Sequence, residues 1–127
     1  MPIVVHPKTF QSEVLDAKKP VLVDFYGSKC IPCRLQMPIL LELAEQYGKK
    51  IKFCMFNTDR EPNETDADFE TKFRTILEYS VMSLPTLLIF ADGELLRTLI
   101  GLHTKEDLLG IFDELGLHLD EDDSGDR

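Results

Sequence analysis

Cys30 and Cys33 stand three positions apart, with Ile31 and Pro32 between them. Two thiols at that spacing suit two kinds of chemistry. They can exchange with a disulfide through a mixed-disulfide intermediate, or they can supply half of a four-ligand zinc site. A zinc site needs two further donors at a workable spacing. Cys54, His6, His103 and His118 are scattered and form no paired motif. The redox reading is therefore the stronger, with zinc and two roleless cysteines as the weaker readings. The surroundings of the pair agree with it. A β-rich apolar run precedes the pair at 21–26. Apolar Leu35, Ile39, Leu40, Leu43, Ala44 and Tyr47 follow it at helical spacing.

A strand-to-helix junction places both sulfurs near a helix N-terminus. The unsatisfied N–H groups and the dipole there favour a thiolate. Cys30 comes first and is expected to be the more exposed, which makes it the nucleophile. Cys33 lies one turn in, placed to attack the mixed disulfide from inside. Lys29 adds a cation beside the nucleophile. Pro32 fits the first helical turn, where its missing N–H costs nothing. Lys29 and Pro32 are thus the positions expected to tune the thiols. Such a dithiol needs no cofactor beyond its own disulfide, and no metal is expected.

The elements that carry this pair follow from periodicity and breakers. Ile3, Val4 and Val5, bounded by Pro2 and Pro7, read as a short edge or first strand. Phe10, Val14 and Leu15 give a helix over 8–17, broken by Pro20. Residues 21–26 form a central strand interrupted only by Asp24. The active helix runs to Gly48 with Pro38 inside it, where it should kink. A strand over 51–56 comes next. An acidic loop over 58–68 follows, then a helix with Phe69, Phe73, Ile76 and Leu77 on one stripe. Strands over 86–90 and 94–100 flank Asp92-Gly93, a strong hairpin signal. Thr104 with Asp107 resembles a capping box ahead of a last helix closed by Gly116. The order β-α-β-α-β-α-β-β-α predicts an α/β domain over 1–118. Its mixed five-stranded sheet should carry helices on both faces. Residues 119–127 read as a disordered acidic tail.

The segment from Val23 through Asp24, Tyr26 and Lys29 to Cys33 resembles the active-site segment of the thioredoxin family. Pro38, Leu84-Pro85-Thr86, Asp92-Gly93, Gly101 and the element order resemble that family too. The likeness covers about residues 3–117, and the combination is far more specific than two spaced cysteines. It implies a thioredoxin fold and a protein-disulfide reductase that draws electrons from a thioredoxin-reductase-type donor. Asp24 would be a buried carboxylate that deprotonates Cys33, its pKa raised by desolvation. The alternative is a strand-end acid that reaches water. Pro85 would be cis, and the backbone of Leu84 would pair with the bound substrate. Gly101 would allow a partner chain to approach closely. Ile31, Leu84 and Leu102 would make an apolar docking rim, or be incidental surface.

The departures from the family pattern are specific. Lys29 stands where the family has Trp, Tyr26 takes the second aromatic site, and Ile31-Pro32 replaces Gly-Pro. Met55 stands where a lysine often neighbours the buried acid, so the Asp24 pKa should rise further. A more oxidising oxidase or isomerase is therefore one rival reading, and a binding module docking a dedicated partner is another. Cys54 reads as a core residue. The formal net charge of −9 argues against nucleic acid as a partner. It concentrates in residues 59–70, net −5, and 120–127, net −4. Solvated acid is the favoured reading of both, with an acidic docking site as the other. No run is long enough to span a bilayer, no export signal is visible, and three cysteines suit a reducing compartment. A cytoplasmic monomer without membrane association is expected.

Overall fold

A computed structural model describes residues 2–117. The acidic tail read over 119–127 lies outside those residues. The chain runs β1 (Ile3–Val5), α1 (Pro7–Phe10), β2 (Val21–Tyr26), α2 (Ile31–Tyr47), β3 (Lys52–Asn57), α3 (Asp66–Glu78), β4 (Thr86–Ala91), β5 (Glu94–Ile100) and α4 (Lys105–Glu114). After α1 the chain widens into a π-helical turn over Gln11–Leu15, in which the Asp16 N–H donates to the Gln11 carbonyl at 2.8 Å. The helix read over 8–17 is therefore two short pieces.

The five strands form one mixed sheet in the order β1-β3-β2-β4-β5. β3 runs parallel to β1 and β2, whereas β4 is antiparallel to both β2 and β5. The Asp92-Gly93 hairpin by itself requires only the β4–β5 antiparallel pair. The second arises because β3 ends and β4 begins beside the same end of β2. Tyr26 pairs Asn57 there, and Phe25 pairs Thr86. That end is also where α2 begins, so the loops after β2 and β3 and the start of β4 meet at one place.

β2 is buried on both faces, as a central strand must be. On one face Val21, Val23 and Phe25 pack with Phe10, Val14 and Phe90, and α1 and α3 cover them. On the other, Leu22 packs with Phe53 and Leu87 under Leu40, Leu43, Leu108 and Phe112 of α2 and α4. The hairpin turn places Asp92 and Gly93 at φ 53° and 79°, the pair of left-handed residues a type I′ turn needs. Thr104 and Asp107 form the expected capping box on α4.

The acidic stretch differs most from its sequence reading. α3 starts at Asp66, inside the expected loop, because the Thr65 hydroxyl accepts the Asp68 N–H at 3.1 Å. Asp66 and Asp68 then sit in the first turn, where the helix dipole favours acids. The expected apolar stripe is also incomplete, since Phe73 and Leu77 are half-exposed and the fully buried residue of α3 is Lys72. Its ammonium donates to the Asp59 carbonyl at 2.7 Å and pairs with Glu61 at 3.2 Å and Glu64 at 2.9 Å. Burial works to push the Glu64 carboxyl up. The Glu61 N–H and the Lys72 ammonium outweigh it and hold Glu64 below the usual glutamate value. Asp66 pairs with Arg60, Asp68 with Lys8 and Glu70 with Arg74. Of the acids of 59–70, Glu64 is thus held inside by Lys72, whereas Asp66, Asp68 and Glu70 make exposed surface pairs and stay in water.

A buried cation with three oxygen partners stabilises only as a set, because removing it strands the partners. Glu61 is well exposed and turns to water at little cost, but Glu64 and the Asp59 carbonyl do not. Lys72→Met is expected to lower stability by about 2 kcal/mol, read as a fall in the urea midpoint at unchanged slope.

Candidate active site

The turn from β2 into α2 delivers the first cysteine. Cys30 is the N-cap of α2 with extended backbone, and its Sγ accepts the Cys33 N–H at 3.2 Å. It replaces the oxygen of an ordinary cap, satisfying a donor that the helix cannot satisfy itself. Cys30 and Cys33 are joined by a disulfide with Cα atoms 5.2 Å apart. Cys33 is buried and Cys30 is partly exposed. Ile31 and Pro32, at the head of the helix, and Lys29 before it are exposed.

Two loops close on this turn. The Leu84–Pro85 bond is cis. The Pro85 carbonyl accepts the Gly101 N–H at 2.9 Å, which ties the start of β4 to the end of β5. Leu84 reaches back to Gly27, where an added Cβ would lie 3.0 Å from Leu84 Cδ1 and 3.4 Å from Asp59 Oδ1. Glycine at 27 is therefore a matter of space. Gly101 is a matter of conformation, since its φ is +89° and open space surrounds its Cα. Leu102 is exposed and Leu84 is half-buried. The next residue, His103, is bound through its backbone to the buried Gln36 of α2. The His103 N–H donates to Gln36 Oε1 at 2.9 Å, and Gln36 Nε2 donates to the His103 carbonyl at 3.0 Å.

Asp24 lies on the face of β2 that α2 covers, the face that also carries Leu22. It is fully buried, and among the described residues neither carboxyl oxygen has a hydrogen-bond partner. Its strand neighbours are Met55 and Leu87. Burial pushes its carboxyl up to about 7. The alternative of a strand-end acid that reaches water does not fit this position. Tyr26, two residues on and on the same face, is pushed above the usual tyrosine value by burial and then by the charges of Glu61, Asp24 and Asp59. Cys54 is buried in the opposite core layer and unpaired, and burial pushes its thiol up to about 11, which leaves it unreactive. Among the described residues no group of His, Cys, Asp or Glu is arranged to hold a metal.

The thioredoxin family model matches residues 1–114. The chain belongs to the thioredoxin family. Thioredoxin 1 of Synechococcus elongatus is 37% identical over 106 residues, spanning 84% of this chain and 89% of the relative. Thioredoxin of Acidithiobacillus ferridurans is 35% identical over 111 residues, spanning 87% and 93%. Chloroplastic thioredoxin M2 of Arabidopsis thaliana is 40% identical over 111 residues, spanning 87% of this chain and 54% of the longer relative. Thioredoxins are thiol–disulfide oxidoreductases that act through a cysteine pair, and this chain carries that pair as a disulfide. Their substrates are protein disulfides, and a reductase supplies the electrons. Four residues that hold the pair or the loop beside it carry no mark in the sequence. Gln36, Arg34, Asp59 and Lys72 are polar side chains whose partners lie in other segments, so no local pattern marks them.

The raised Asp24 pKa makes stability depend on pH. The folded chain holds this proton from the unfolded value of 3.8 up to about 7, whereas the unfolded chain releases it near 3.8. Across that window the folded state binds more protons, so stability falls as pH rises and levels off above 7. The fall amounts to about 4 kcal/mol at most. Asp24→Asn removes the titration. The stability of the unsubstituted chain relative to this variant is expected to decline between pH 4 and pH 8, by urea unfolding at each pH. A difference flat across that range would refute the buried, unpaired carboxyl.

Proposed function

We propose that Cys30 is the attacking thiolate, Cys33 the resolving thiol and Asp24 the base that serves it, in the reduction of protein disulfides. The carrying observation is the asymmetry of the pair, with Cys30 partly exposed as the helix cap and Cys33 buried one turn in. The Cys30 thiolate attacks one substrate sulfur. The substrate disulfide breaks, a mixed disulfide forms, and the other substrate sulfur leaves as a thiolate that takes a proton. Cys33 then gives its proton to the Asp24 carboxylate and attacks the Cys30 sulfur. The mixed disulfide breaks and the second substrate thiol is released. Two electrons have passed to the substrate, and the Cys30–Cys33 disulfide awaits a reductase.

Leu84, Pro85, Ile31 and Gly101 are assigned to substrate contact. Ile31 is exposed, and Gly101 and cis-Pro85 are joined by a backbone bond beside the loop of the pair. Lys29 and Pro32 are assigned to tuning the thiols. A carboxyl near 7 suits Asp24 to its role, because it can take a proton in one step and return it in the reverse. Glu64 and Asp59 are engaged within the chain, which leaves the exposed Asp66, Asp68 and Glu70 to the rival binding module. No helix among the described residues is long and apolar enough to cross a membrane. A reducing compartment such as the cytoplasm is the proposed setting, because the dithiol must be regenerated, and a monomer is the proposed working form.

Cys30→Ser is expected to abolish dithiothreitol-coupled insulin reduction. Cys33→Ser is expected to retain the first attack and accumulate mixed disulfides on a non-reducing gel. Full activity in both variants would overturn the assignment.

A further inference from the structure

The turn that presents Cys30 is weakly closed by itself. Its closing bond, from the Cys30 N–H to the Gly27 carbonyl, is 3.4 Å long, beyond the usual range for such bonds. Ser28 and Lys29, the central residues, are exposed and pack against little. Yet the Ser28 backbone is held on both polar sides. Its N–H donates to Asp59 Oδ2 at 2.8 Å, and its carbonyl accepts from an Arg34 guanidinium nitrogen at 3.0 Å. Bonds to charged partners are the strong kind. We propose that Asp59 and Arg34 are positioning residues that clamp the two peptide groups flanking Ser28, one to an anion and the other to a cation, and so hold Cys30 where its sulfur caps α2.

Each jaw is itself anchored. Arg34 belongs to the first turn of α2, and its N–H donates to the Cys30 carbonyl at 3.3 Å. The clamp therefore ties the turn to the helix it feeds. Asp59 follows β3, where Thr58 donates to the Tyr26 carbonyl through both its N–H and its hydroxyl at 2.9 Å. The Asp59 N–H donates to Asn57 Oδ1 at 2.9 Å, and its carbonyl accepts from the buried Lys72. The bonds from Ser28 hold the Asp59 carboxyl below the usual aspartate value against a smaller opposing effect of burial, and Lys72 and Lys29 add to this. The acceptor is therefore an ion at neutral pH. A Cβ at Gly27 would press on Leu84 Cδ1 at 3.0 Å and only touch Asp59 Oδ1 at 3.4 Å.

The inference rests on Cys30 as the attacking thiol, and its test separates the two claims. Asp59→Asn and Asp59→Ala carry the same charge, but only asparagine keeps an oxygen for the Ser28 N–H. Iodoacetamide alkylation of the reduced full chain across pH reads the Cys30 thiolate. The alanine variant is expected to titrate about half a unit above the asparagine variant, about a threefold smaller thiolate fraction below the midpoint. Equal midpoints would overturn the clamp. Amide hydrogen exchange at Ser28 supplies a readout that does not depend on which cysteine attacks. Arg34→Met is expected to speed it severalfold, with Arg34→Lys restoring protection. Exchange unchanged in Arg34→Met, or a loss of thermal stability with no change at the Ser28 amide, would equally overturn it.

Discussion

An α-helix begins with N–H groups that no carbonyl of its own can reach, and here the first of them to find a side chain finds a sulfur. The Cys33 N–H points at Cys30 Sγ, so the same bond caps α2 and orients the redox pair. Much of the surrounding structure serves that placement. β2 must end where α2 begins, Gly27 must leave space for Leu84, and the peptide groups on either side of Ser28 must not swing. The requirement on the sulfur is dual. It must accept a backbone donor, which favours negative charge, and it must stay open to a partner. The N-cap position meets both, because the cap lies outside the helical cylinder while the residue three places on faces the sheet.

Among the described residues one carboxyl and one ammonium side chain are buried, and they are treated in opposite ways. Lys72 is enclosed by three oxygen partners drawn from one acidic loop. Asp24 has none, with Met55 and Leu87 beside it on the sheet. A partnered ion stays charged and fixes its surroundings, whereas an unpartnered acid escapes the cost of burial by taking up a proton. The two sites thus divide the work of structure and chemistry. Lys72 ties to α3 the loop whose Asp59 carboxylate bonds the active-site turn. Asp24 stays poised between its two forms.

Local signals in the sequence sufficed for most of the architecture. The hairpin at Asp92-Gly93, the strands on either side of it and the helix opened by Pro32 need only neighbouring residues for their reasons. The boundary of α3 was missed, although Thr65 and Asp68 are a cap with its N3 acid, because the surrounding acids and Pro62-Asn63 read as a loop. The direction of β4 was also hidden, since periodicity reports a strand and not the neighbour it pairs with. At the site, the cysteines were legible from type and spacing, whereas Asp24 and Pro85 took on roles only through the resemblance to the thioredoxin family. The clamp on Ser28 was not. Its partners are a loop aspartate 31 residues away and an arginine six residues away, and each alone reads as ordinary surface charge.

The absence of a cation next to Asp24 bears on what the chain can do with its proton. Met55 aligns with Asp24 in the sheet, where a lysine would stabilise the carboxylate and draw the pKa down. With methionine there, desolvation acts alone and sets the carboxyl at about 7. A base is most useful when its pKa lies near the working pH, since it is then neither always loaded nor too weak to accept. The cost is stability above neutral pH, where the acid must ionise among apolar neighbours. A salt bridge at this position would recover that stability and leave a weaker base. The apolar neighbours of Asp24 therefore favour proton transfer over firmness at the one place where the two conflict.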